Sequence, residues 1–132
     1  MEIKLSKAES EEYFYNALCN ALGSGYMRGY GLVLEVDQTE YSAAKNALKL
    51  FEPTSTPCYE DILMQVLREG GTLTFIDEED EDSVYPITLA EVHERVSKTP
   101  LDHLLDMIKE NDDACTADVI LQTVFFNDVI FG

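Results

Sequence analysis

Between Thr116 and Phe131 the chain carries Val119, Ile120, Leu121, Val124, Phe125, Phe126, Val129, Ile130 and Phe131, with only Asp118 and Asp128 charged. The Thr116-Ala117-Asp118 entry and the length of the segment favour a helix over a strand, despite its β-branched residues. A helix that is apolar on nearly every side has no face for water, so it has to be enclosed. The simpler enclosure is a central place in the chain's own core. The other is cover from a second subunit, with the helix at the apolar centre of a homodimer surface.

The remaining segments supply candidates for that wrapping. Ser6-Lys7-Ala8-Glu9 is a capping box, and Phe14, Leu18 and Leu22 follow at helical spacing until Gly23, the expected stop. Residues 23–31 hold four glycines and read as an irregular loop feeding a strand, Leu32-Val33-Leu34-Glu35-Val36. Tyr41, Ala44, Leu48 and Phe51 mark a second helix that ends before Pro53. Thr56-Pro57 suits the cap and first position of a third, with Ile62, Leu63, Val66 and Leu67 inward and Gly70-Gly71 as its end.

Residues 72–87 read as a β-hairpin, with Pro86 placing its strand at an edge. Thr88-Leu89-Ala90-Glu91 opens another capped helix, Thr99-Pro100 breaks it, and Leu101, Leu104, Leu105 and Ile108 form the next apolar stripe. The expected class is α+β, with about five or six helices around a small sheet of about three strands. A length of 132 residues fits a single domain, 1–132.

Nine Lys and Arg stand against 26 Asp and Glu, a net charge of −17. The run Asp77-Glu78-Glu79-Asp80-Glu81-Asp82 carries only six of the acidic residues, so most of the excess is spread over the surface. Such a surface repels nucleic-acid phosphates and anionic membranes and attracts basic partners. Neither a leader-like apolar run at the start nor a stretch long enough to span a membrane is evident, which leads us to expect a cytoplasmic chain. Three isolated cysteines, Cys19, Cys58 and Cys115, argue against a disulfide framework and for reduced, mostly buried thiols.

No motif specifies a reaction. The glycines of residues 23–31 follow a helix and precede a strand, the reverse of a dinucleotide-binding turn, and no Gly-Lys-Ser/Thr closes them. The acidic run lacks the glycine and distal Glu of a calcium loop, so a solvated turn is the expected reading. His93 and His103 fall on separate helices, and Ser97 stands where a zinc helix needs its second histidine. We therefore expect no catalytic, cofactor-binding or metal residues and no cofactor. The residues most exposed to a ligand or partner are Tyr26, Arg28 and Tyr30, set among glycines.

These readings favour a non-catalytic interaction or regulatory protein that binds a basic partner, in one version as a nucleic-acid mimic. Two alternatives are a small enzyme or anionic-ligand-binding protein with its site near residues 23–31, and an architectural homo-oligomer subunit built on the apolar C-terminal segment.

Overall fold

The computed structural model describes residues 3–131, the side chains of Ser24, Tyr26 and Glu81 excepted. At the first helix, α1 (Lys7–Ser24), the capping box forms as expected. Ser6 Oγ accepts from the Glu9 amide at 3.1 Å, and Glu9 Oε1 accepts from the Ser6 amide at 2.9 Å. The turn of α1 then puts Phe14, Ala17, Leu18 and Ala21 on one fully buried face. Gly25, at φ 80°, supplies the left-handed cap, so the helix stops beyond the expected Gly23. Part of the expected irregular loop is a single helical turn, α2 (Tyr26–Gly29), which feeds β1 (Leu32–Val36).

Asp37 caps α3 (Gln38–Phe51) by accepting from the Glu40 amide at 3.0 Å. The next helix, α4 (Tyr59–Arg68), is capped at Cys58 and not at the expected Thr56. Cys58 is the last residue with extended backbone, and Glu60 and Asp61 then complement the helix dipole in the first turn. Beyond α4 the chain passes so close to Val66 that a Cβ on Gly71 would lie 2.7 Å from its Cγ1, so only glycine fits that turn.

The hairpin is β2 (Leu73–Asp77) and β3 (Asp80–Ile87), paired antiparallel with Phe75 opposite Tyr85 and Leu73 opposite Ile87. The acidic run is not only a solvated tip, because Asp77 ends β2 and Asp80 opens β3. Two of its carboxylates are engaged locally: Asp77 accepts from the Glu79 amide at 2.9 Å and Asp80 from the Ser83 hydroxyl at 2.8 Å.

The sheet is antiparallel throughout, in the order β1-β2-β3. Pro86 therefore lies in an edge strand, where its missing amide is tolerated. One face, with Leu32, Leu73, Phe75 and Ile87, is buried. The other, with Val33, Glu35, Thr74, Ile76 and Val84, stays partly or fully exposed.

The last helices are α5 (Leu89–Arg95), a 3₁₀ turn (Val96–Lys98), α6 (Leu101–Ile108) and α7 (Ala114–Phe126). With seven helices and three strands among the described residues, the class is α+β. The helix beyond the five or six expected is α2, inside the glycine segment. Among the described residues no helix is long and apolar enough to cross a membrane.

Every residue of α7 from Thr116 to Phe125 is buried. Phe125 packs against Phe14 of α1 and Phe75 of β2, with ring centroids 6.1 and 4.3 Å away. The helix begins at Ala114, earlier than expected, because Asp113 caps it by accepting from the Thr116 amide at 2.9 Å. It also stops earlier, where Asn127 turns left-handed at φ 59°, so Val129 and Ile130 leave the helix and are exposed.

Burying α7 encloses its polar side chains, and they find partners within the chain. Gln122 Oε1 accepts from the amides of Ile130 and Phe131 at 2.9 and 2.8 Å, fixing the chain beyond the helix. Gln122 Nε2 and the Tyr30 hydroxyl both donate to Asp118 Oδ2, at 3.1 and 2.8 Å. Asp118 Oδ1 is buried with no partner among the described residues. Burial raises the Asp118 pKa, and the bonds from Tyr30 and Gln122 only partly offset it.

A carboxyl whose folded pKa is raised contributes stability below its unfolded pKa and loses that contribution as pH rises through the folded value. Asp118→Asn, the neutral isostere, removes this titration. In denaturant unfolding between about pH 4 and pH 7, we expect the stability of the variant to rise relative to the native chain as pH increases. A constant or opposite difference would contradict the assignment.

Candidate functional site

The order of the sheet leaves β1 with a free edge. The Glu78 amide donates to the Gly31 carbonyl at 2.9 Å, which extends the β1–β2 ladder by one hydrogen-bonded pair. Pairs alternate in an antiparallel ladder, so Val33 and Glu35 turn their backbone groups toward β2. Leu32, Leu34 and Val36 turn theirs outward. No residue among those described bonds to these outward amides and carbonyls.

Two cavities lie along this edge. A cavity of about 430 Å³ is lined by Ala21, Leu22, Met27, Leu32, Leu34, Phe75 and Tyr59, with Arg28 and Glu60 as its charged members. A second, of about 360 Å³, is lined by Leu34, Glu35, Val36, Gln38, Tyr41 and Tyr59. They share Leu34 and Tyr59, so they form one groove that follows β1. The rings of Tyr41 and Tyr59 lie 6.2 Å apart beside it. Burial, together with the neighbouring Tyr41 and Glu60, pushes the Tyr59 hydroxyl pKa up and keeps it a neutral donor.

The three residues singled out in the sequence separate here. Arg28 is exposed, lines the larger cavity and makes no ion pair among the described residues. Tyr30 instead serves the core, where it donates to Asp118 and stacks on Phe131 at 4.5 Å. The Tyr26 side chain lies outside the described residues.

The histidines are placed apart. His93 Nε2 lies 3.0 Å from Glu11, which also takes Arg68 at 3.1 Å, so α1, α4 and α5 are joined at one carboxylate. Burial pushes the Glu11 carboxyl up, but the bonds from His93 and Arg68 prevail and hold it below the ordinary value. His103 Nδ1 lies 3.4 Å from the Thr116 hydroxyl. No cluster of three or more metal-ligating side chains occurs among the described residues.

All three cysteines are exposed, which corrects the expectation of mostly buried thiols. Cys19 follows Leu18 by one residue, about 100° around the helix and off its buried face, and Cys58 occupies a helix cap. Beside them the Tyr15 hydroxyl donates to Asp61 Oδ1 at 2.6 Å. That bond is the main cause of the lowered Asp61 pKa and the raised Tyr15 pKa.

Sequence reading missed Leu34, Tyr41, Tyr59 and Glu60 as groove residues because strand order and helix placement, not a motif, bring them together. No family model, curated protein or solved structure matches the chain.

Tyr15→Phe should cost about 1 to 2 kcal/mol near neutral pH, since it removes a bond to an ionised carboxylate. A depressed carboxyl contributes stability above its unfolded pKa and loses it as pH falls. The gap between Tyr15→Phe and the native chain should therefore shrink below about pH 4. Denaturant titrations at several pH values measure it, and a gap that stays constant into acid would place the cost elsewhere.

Proposed function

We propose that this chain is a non-catalytic interaction module that takes an extended, basic segment of another protein as an added strand along β1. The observation that carries the reading is the outward pair of backbone positions at Leu34 and Val36, unpartnered among the described residues and bordered by the groove, with Leu32 buried at the inner end of the edge. Strand addition draws affinity from main-chain bonds and specificity from pockets that receive alternate side chains. Two contiguous cavities beside a five-residue edge suit that arrangement.

Charge gives the occupant its chemistry. Glu35 and Glu60 lie in the groove, and the chain as a whole carries −17. A segment that alternates apolar residues with lysines would place the former in the cavities and the latter among the carboxylates. Arg28 supports a second reading, a small anionic ligand held at the mouth of the larger cavity. The mostly apolar lining and the presence of Glu60 favour the peptide.

A fluorescent peptide alternating valine or leucine with lysine provides the probe, read by anisotropy at low and high salt. Binding should weaken with salt. Glu60→Lys should weaken it roughly tenfold, and methylation of alternate peptide amides should abolish it. An N-methylated peptide that binds as well as its parent would overturn strand addition. Binding lost to salt but unaffected by Leu34→Arg or N-methylation would indicate a carboxylate surface of the nucleic-acid-mimic kind. Peptide-independent, concentration-dependent self-association in sedimentation would favour an oligomeric subunit.

A further inference from the structure

Two exposed thiols, Cys19 and Cys58, stand close in the chain to residues that line this groove. Cys19 lies one turn beyond Tyr15 on α1, on the same face, and Cys58 caps α4. The Tyr15 hydroxyl is 3.9 Å from Cys58 Sγ, so the helical turn that carries Cys19 faces the start of α4. Cys58 is followed directly by Tyr59 and Glu60, which line the larger cavity. Across that cavity stand Ala21 and Leu22, which follow Cys19 on α1.

We propose that Cys19 and Cys58 form a redox-responsive thiol pair that closes to a disulfide and tightens the groove by tying the start of α4 to α1. The oxidant is a low-molecular-weight disulfide. Its S–S bond breaks and accepts two electrons and two protons, leaving as two thiols. The two S–H bonds of the protein break and one S–S bond forms between α1 and α4. Bringing the sulfurs together displaces the Tyr15 hydroxyl that stands beside Cys58, and Tyr59 and Glu60 move with Cys58. The narrowed groove then admits the strand less readily. The thiol chemistry stands on its own, and its effect on binding rests on the strand-addition reading.

The test treats the full chain with oxidised glutathione, then counts alkylatable thiols and maps linked peptides by mass spectrometry. The expected result is one remaining thiol, Cys115, and a Cys19–Cys58 link within one molecule that is absent from Cys19→Ser and Cys58→Ser. Separate glutathione adducts on the cysteines without a link, or links between molecules only, would overturn the pair. The linked protein should bind the alternating lysine peptide roughly fivefold more weakly than the reduced protein, and reduction should restore binding. Unchanged affinity in the linked protein would overturn the tightening. Failure of the reduced protein to bind the peptide would count against the groove reading and leave the thiol pair intact.

Discussion

The structure depends on enclosing α7. Its burial from Thr116 to Phe125 requires neighbours on every side, and α1, α5, α6 and the sheet supply them. Phe125 is the point where three elements meet, touching Phe14 and Phe75. Enclosure also explains the polar residues of this helix. Water cannot satisfy Asp118 and Gln122 there, so Tyr30 and the backbone of residues 130–131 do so. In that way the core sets the place of Tyr30, which turns the glycine segment so that Arg28 faces the groove and Tyr30 does not.

The enclosure has a second consequence. One sheet face covers the core, the other stays open, and β1 is left at an edge. A free edge is a hazard, because it pairs readily with any extended chain, including a second copy of itself. A net charge of −17 opposes approach of a second copy and favours a basic segment. Under the proposed strand addition, the acidity and the open edge act together. In the proposed function, the charge would select who reaches the edge and the backbone would provide the bond.

Local signals in the sequence carried much of the fold. The capping boxes at Ser6 and Thr88, the stretch at residues 32–36 and the hairpin at 72–87 were all legible, because caps, periodicity and turn residues act over a few positions. The first helix shows why helix ends are harder to place. Gly23 and Gly25 are both possible stops, and only the observed left-handed backbone at Gly25 selects between them. The candidate site was much less legible. Arg28 stood out by composition, whereas Leu34, Tyr41 and Tyr59 have no distinguishing pattern and meet only because β1 is an edge strand beside α3 and α4. Cys19 and Cys58 are 39 positions apart, and only the packing of α1 on α4 relates them.

The central claim is that the outward backbone groups of β1 are open and accept a strand. Amide hydrogen exchange, resolved by residue, measures this directly. In the free protein the amides of Leu34 and Val36 should exchange faster than those of Val33 and Glu35, which face β2. On addition of the alternating lysine peptide, Leu34 and Val36 should become protected while Val33 and Glu35 change little. Protection of Leu34 and Val36 already present without peptide, or bound peptide that leaves their exchange unchanged, would contradict the account.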